Sequence, residues 1–191
     1  MIKDKKTLKE FLSYEGYIYS KKRPYRFLPR FKEKSIIFKF LCLYRYEEYY
    51  FNTKKKIRHF LYYFMRRTFG RKIGINFDGI NMIDKGIYIP HIGQILIRAK
   101  HIGKNCSISP NVFIVTGNDG SLSTIESDVS FGVGATVVGG VRIAKGVAVG
   151  ANALVCKDCL EENVTIGGNP ARIISNNGSK TWGGRKYFPH E

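Results

Sequence analysis

A six-residue rhythm runs through the middle of this chain and limits its fold more than any other feature. Ile102, Ile108 and Ile114 lie six apart, and Ile125, Phe131, Val137, Ile143, Val149 and Val155 continue the interval after one step of eleven. The longer step reads as a five-residue loop insertion. Ile83, Ile89 and Ile95 show the same period upstream. Four residues after lead positions sits a second small or aliphatic side chain, at Cys106, Val112, Val129, Ala135, Val141, Val147, Ala153 and Cys159. A helix repeats about every 3.6 residues and a strand every two or so, which leaves a period of six to short strands joined by bends. Three hexapeptides close one flat-sided coil, and stacked coils bury the lead side chains in continuous columns. Each contributes about 1.5–3 kcal/mol when fully buried. Gly103, Gly132 and Gly150 directly follow lead residues, where a tight corner favours glycine. Alternating hairpin signals, the mark of an ordinary sandwich, are missing.

The first third of the chain is built differently. Residues 1–72 hold 21 of the 32 Lys and Arg against six acids, and so carry +15 of the formal +17. They also hold 19 aromatic residues and only two glycines, Gly16 and Gly70. This segment reads as helices. Thr7 with Glu10 forms a capping box ahead of Phe11 and Leu12, and Pro24 and Pro29 break the helix that follows. Ile37, Phe40, Leu41, Tyr44 and Phe51 then share one helical stripe. Asn52 and Thr53 separate it from a second amphipathic stretch at Ile57, Phe60, Leu61 and Phe64, which Gly70 is expected to stop.

Composition excludes several classes. With 43% hydrophobic and 25% charged residues the chain is no disordered tail. Its longest apolar stretch, from Ile36 to Tyr44, is broken by Lys39 and falls far short of the roughly 20 residues of a bilayer span. Met1 to Glu10 is lysine-rich with no apolar run behind it, so no secretory signal is expected. The four cysteines form no disulfide pattern, which suits reduced thiols in the cytoplasm. Cys156 and Cys159 have redox-motif spacing but no βαβ context. Zinc would need more ligands than that neighbourhood offers, so no metal is expected.

Over about residues 73–175 the sequence resembles the hexapeptide-repeat acyltransferases. The resemblance is strongest over 125–174, ending in Gly167-Gly168-Asn169-Pro170-Ala171-Arg172-Ile173-Ile174, which is similar to the family's terminal signature; Lys157-Asp158 also matches its pattern. Gly86-Ile87-Tyr88-Ile89-Pro90-His91 resembles the serine acetyltransferase segment that carries the catalytic histidine. The resemblance implies a mainly β fold, a left-handed parallel β-helix with an N-terminal helical segment. It divides the chain into a basic helical segment (1–72), the β-helix (73–175) and a C-terminal tail (176–191). It further implies a homotrimer that holds acetyl-CoA between neighbouring prisms. Three positions differ from the serine acetyltransferases. Pro90 and Asn76 stand where they have Asp, the second being the residue that orients the histidine. The loop from Val115 to Ser121 lacks their second histidine. The front end looks more like that of the short relatives that accompany capsule and O-antigen biosynthesis.

His91 is the histidine placed for acid–base work. Two residues after the inward Ile89, it should point out of the coil. An imidazole, with an ordinary pKa of about 6.5, can take a hydroxyl proton at neutral pH. His59 and His101 read as surface residues, and His190 in the tail carries no reading. By resemblance Val133 and Ala151 present backbone to the pantetheine arm, Lys157 and Arg172 meet the coenzyme A phosphates, and Asn76 occupies the His-orienting position. The expected activity is acetyl transfer from acetyl-CoA to a hydroxyl of a surface-polysaccharide sugar or its lipid-linked precursor. L-Serine is the alternative acceptor, and an inactive trimeric scaffold is the further alternative. The basic front end reads first as a helical cap attracting anionic coenzyme A and acidic glycans, second as a contact with an anionic membrane at its cytoplasmic face. Nucleic acid ranks last, because no nucleic-acid fold signature is present.

Overall fold

A computed structural model describes residues 1–20, 32–181 and 187–188. The readings placed on Pro24 and Pro29 lie outside the described residues, as does His190. Within them, three α-helices precede thirteen short strands, numbered β1–β13 along the chain.

Helix α1 (Lys5–Ser20) begins ahead of the Thr7–Glu10 pattern. Its cap is Asp4, which accepts the Thr7 N–H at 2.7 Å; that bond holds the Asp4 carboxyl below its usual range. Helix α2 (Glu33–Asn52) buries Ile37, Phe40, Leu41 and Tyr44 as its stripe predicts. Phe51 does not follow them: at the last turn it meets the His59 ring of α3 (5.3 Å) rather than the core. Helix α3 (Lys56–Ile73) passes through Gly70 and stops at Gly74, which takes the left-handed conformation at φ 75°. Gly70 is needed inside the helix, because a Cβ there would collide with the Ile75 carbonyl and the Phe40 ring. The second amphipathic stretch is exposed: Ile57, Phe60, Leu61 and Phe64 face away from the protein.

The strands wind into a five-coil parallel solenoid with three faces, matching the left-handed β-helix fold. The first face stacks β1 (Ile75–Phe77), β2 (Ile95–Ile97), β5 (Phe113–Val115), β8 (Thr136–Val138) and β11 (Leu154–Val155). The second stacks β3 (His101–Ile102), β6 (Thr124–Ile125) and β9 (Arg142–Ile143), extended by bridges from Ile83 to Ile102 and from Ile143 to Cys159. The third stacks β4 (Ser107–Ile108), β7 (Ser130–Phe131), β10 (Ala148–Val149) and β12 (Thr165–Gly168), closed by the antiparallel β13 (Ala171–Ser175). Register places Phe77, Ile97, Ile114, Val137 and Val155 in one buried column.

Two details of the repeat differ from the sequence pattern. The first-face lead on the second coil is Ile97, while Ile95 fills the secondary inward column beside Ile75. The corner between Ile89 and Ile97 therefore holds two extra residues, and this widened corner carries His91. Nor do the glycines after lead residues make the turns. Gly103 and Gly132 are required because a Cβ would strike the backbone of the next coil at Ser127 and Ala151. Left-handed residues instead recur three before a lead, at Asn105, Asn111, Asp128, Gly134, Gly146, Asn152 and Asn163. Asn, Asp and Gly tolerate that conformation best.

The helices cap the open end of the first coil. Phe40 and Tyr44 set their rings edge-on to Phe77, at 5.0 and 5.2 Å, within one core that continues through the solenoid. The first coil has no preceding coil to donate to its carbonyls, so arginines do. Arg45, fully buried, donates to Ile83 O (2.8 Å) and Asp84 O (2.9 Å) while paired with Glu15 (2.6 Å) and Glu48 (2.9 Å). Arg66 donates to Phe77 O (2.8 Å) and pairs with Glu47. Buried carbonyls and buried charges are satisfied together. At the C-terminal end Ser179 N–H donates to Gly146 O (2.8 Å), and Tyr187 stacks on Tyr88 at 4.8 Å. No helix among the described residues is long and apolar enough to cross a membrane.

Candidate active site

The widened corner after Ile89 is held from the helical side. Tyr19 of α1 accepts the Ile89 N–H at 2.8 Å. Glu33, in the first turn of α2, accepts the Ile92 N–H through Oε1 at 2.6 Å, and its Oε2 lies 3.1 Å from His91 Nδ1. The Ile92 amide, and then the His91 ring, hold the Glu33 carboxyl below its usual range despite an opposing burial effect, so it is ionised at neutral pH. A carboxylate can only accept, so the bond requires a proton on Nδ1. The lone pair of neutral His91 is then on Nε2. The side chain is 69% exposed, open to an incoming hydroxyl. This is the geometry of an oriented base: imidazole, carboxylate behind it, space in front.

The side chain at His91 Nδ1 is thus that of Glu33. Among the described residues no hydrogen bond links Asn76 to His91; Asn76 sits mid-strand on β1, in register with Leu96. Sequence reasoning missed Glu33 because it lies 58 residues from His91 and reads as one acid in a basic run. Tyr19 was equally silent.

The His91 corner is one rung of an edge that runs the length of the solenoid. A Cβ on Gly93 would meet Pro110 of the next coil. Pro110 O accepts Gly134 N–H at 3.1 Å, and Val133 O accepts Asn152 N–H at 2.9 Å. Gly150 in turn stacks against Gly167, which pairs across to Arg172. His91, Val133, Ala151 and Arg172 therefore share one edge, at coils one, three, four and five. Adjacent rungs are about 4.8 Å apart, so the edge spans roughly 19 Å from His91 to the last coil. Val133 and Ala151 are exposed, and among the described residues no hydrogen bond engages their amide N–H groups. Gly132, Gly134 and Gly150 keep the ridge beside them low.

Lys157 is not on this edge. It lies on the next one, with Cys156, Asp158, Gly117, Asp119 and Gly139–Gly140, around an open depression beside the loop that carries the five-residue insertion. One chain thus separates His91 from Lys157. Cys156 is exposed and Cys159 buried, the latter with its thiol raised by burial, and no group of side chains among the described residues could hold a metal. His101 pairs with Asp84 at 3.6 Å on the second face, and His59 packs against Phe51 and Tyr63.

Comparison with known proteins adds the following. No family model matches the chain. A serine acetyltransferase from Buchnera aphidicola (subsp. Acyrthosiphon pisum) is 28% identical over 153 residues, covering 75% of this chain and 53% of its own length. WbbJ of Escherichia coli K12, a proposed lipopolysaccharide biosynthesis O-acetyl transferase, is 33% identical over 139 residues, covering 60% of this chain and 67% of itself. Among solved structures, the Brucella abortus serine acetyltransferase in complex with coenzyme A superposes with a TM-score of 0.69 at 17% identity, covering 91% of this chain and 70% of that one. At that identity the likeness is one of fold. The chain spans about half the length of the Buchnera relative.

Proposed function

Because this chain belongs to the hexapeptide-repeat acyltransferases, in their serine acetyltransferase-like branch, we propose that it transfers acetyl from acetyl-CoA to a hydroxyl of a surface-polysaccharide sugar or its lipid-linked precursor. The observation that carries the reading is the His91–Glu33 pair on the edge lined by exposed backbone at Val133 and Ala151. His91 Nε2 takes the hydroxyl proton as the oxygen attacks the thioester carbonyl. The developing oxyanion meets backbone N–H groups, and collapse expels the coenzyme A thiolate, which recovers the proton from the imidazolium. Glu33 holds the ring and stabilises its transient positive charge. The products are the O-acetyl ester and free coenzyme A.

An extended coenzyme fits the long edge, with its acyl end by His91 and its phosphates toward Arg172. The separation of Lys157 onto another edge supports a homotrimer in which a groove between two prisms combines both edges, since symmetric closure sets one subunit's edge against a different edge of its neighbour. The sugar acceptor draws on the WbbJ similarity and on the missing second histidine. The chain would then work in the cytoplasm, at the inner face of the membrane that carries the acceptor. L-Serine is the second reading, favoured because the relatives are mostly serine acetyltransferases. The inactive-scaffold reading loses its motive, since Glu33 supplies the carboxylate that Asn76 and Pro90 do not.

Release of free coenzyme A is the deciding measurement. It is expected with sugar or lipid-linked sugar acceptors and not with L-serine; serine-dependent release would move the chain to the second reading, and no release with any acceptor would make it a scaffold. Within the same assay Glu33→Gln should lower kcat by roughly 10²-fold, because the amide can donate to Nδ1 and so displaces the proton from the productive tautomer. KM for acetyl-CoA should stay unchanged. An unaltered kcat would remove Glu33 from the mechanism.

A further inference from the structure

We propose that helix α3 is a docking face for an anionic phospholipid surface, lying flat on it through the stripe Ile57, Phe60, Leu61, Phe64 and Met65. This deepens the reading of a lipid-linked acceptor by naming the element that meets the membrane. The stripe follows helical spacing, yet it faces away from the protein: Ile57 is 87% exposed, Phe60 69% and Phe64 60%. The opposite side of α3 is the one that packs, with Arg66 and Gly70 buried against α2 and the first coil. A row of five exposed apolar side chains on one face of a charged helix marks an interaction surface.

Charge identifies the occupant. From Tyr49 to Phe77 there is no acid, and α3 itself contains none. Lys54, Lys55, Lys56, Arg58, Arg71 and Lys72 are all exposed along and beside the stripe. Apolar side chains on one face with cations flanking them is the pattern of helices that sit in the headgroup region of anionic bilayers. A second copy of this chain fits poorly, because a symmetric contact would oppose two cationic rows across one apolar seam. The helix is also too polar to span the bilayer, so it would lie in the interface.

The test is co-sedimentation of the full chain with vesicles of phosphatidylcholine alone and of phosphatidylglycerol mixed with phosphatidylcholine. Binding is expected to the anionic vesicles and to weaken with salt. Phe60→Ser/Phe64→Ser, at exposed positions that leave the melting temperature unchanged, should weaken it by roughly tenfold or more. Lys54→Gln/Lys55→Gln/Lys56→Gln should remove the preference for the anionic lipid. Leu61→Trp should show blue-shifted emission on binding. Equal binding to both vesicle types, an unaffected Phe60/Phe64 variant or an unshifted Leu61→Trp emission would each overturn the proposal. So would a drop in oligomeric state of the Phe60/Phe64 variant, which assigns the face to a second copy, or lipid-free binding to an acidic polysaccharide lost in that variant, which assigns it to glycan. Coenzyme A release with a soluble acceptor, followed in parallel, reports separately on the acetyltransferase reading.

Discussion

A Val137→Asp chain is expected not to fold. Val137 is fully buried at the centre of β8, in register between Ile114 and Val155, with lead side chains above and below it. The change removes a buried aliphatic worth about 1.5–3 kcal/mol. It also puts a carboxyl where nothing can pair with it. Such a group stays neutral rather than ionise, and holding protonated at pH 7 a carboxyl whose ordinary pKa is about 3.9 costs roughly 4 kcal/mol. Together these approach the whole stability of a typical domain, about 5–15 kcal/mol. Repeat architecture adds a second penalty, since each coil is held by its neighbours and the defect lies in the fourth of five. Insoluble expression, or loss of cooperative melting, is the expected outcome. Val138→Asp is the control: that side chain faces the other way, so the protein should remain soluble with a similar melting temperature. A soluble Val137→Asp with an unchanged melting temperature would mean that the register is wrong.

His91→Ala is expected to lower turnover by about 10²–10⁴-fold, the usual contribution of a positioned general base. The ring is exposed at the widened corner and linked through Nδ1 to Glu33, so alanine removes a functional group without opening a cavity. Melting temperature and acetyl-CoA binding should therefore change little, since the proposed coenzyme contacts lie two to four coils away. The Glu33→Gln variant sets the scale: loss of the base should cost more than loss of its orienting partner. Asn76→Asp, which the resemblance to serine acetyltransferases singles out, should now have little effect, because another carboxylate already occupies Nδ1. Equal turnover by wild type and His91→Ala with a true acceptor would exclude His91 as the base.

The solenoid was legible because its information is local and repeated. Each inward side chain is specified by its distance along the chain from the last, and burial of Ile108, Phe131 or Val149 depends on that interval. Where the interval changes, the pattern misleads: Ile95 looked like a lead residue because the two-residue expansion around His91 leaves an apolar side chain at the expected count. The stripe of α3 shows a related limit. Its stripe has the right period, but periodicity reports only that one face is apolar, and here that face is turned outward.

The sequence alone determined the coil, its inward columns and the corner that presents His91, since these follow from the spacing of apolar residues and the need to bury them. Tertiary structure decided what stands behind His91, which arginines are buried, and which side of α3 packs. Glu33 meets His91 across 58 residues, and Arg45 meets Ile83 and Asp84 across 38 and 39. Such contacts depend on how α2 settles on the first coil, through the edge-on packing of Phe40 and Tyr44 against Phe77. No short-range pattern encodes that placement. A charged side chain becomes a partner, a cap or a solvated residue only when the fold brings another group within about 3 Å of it.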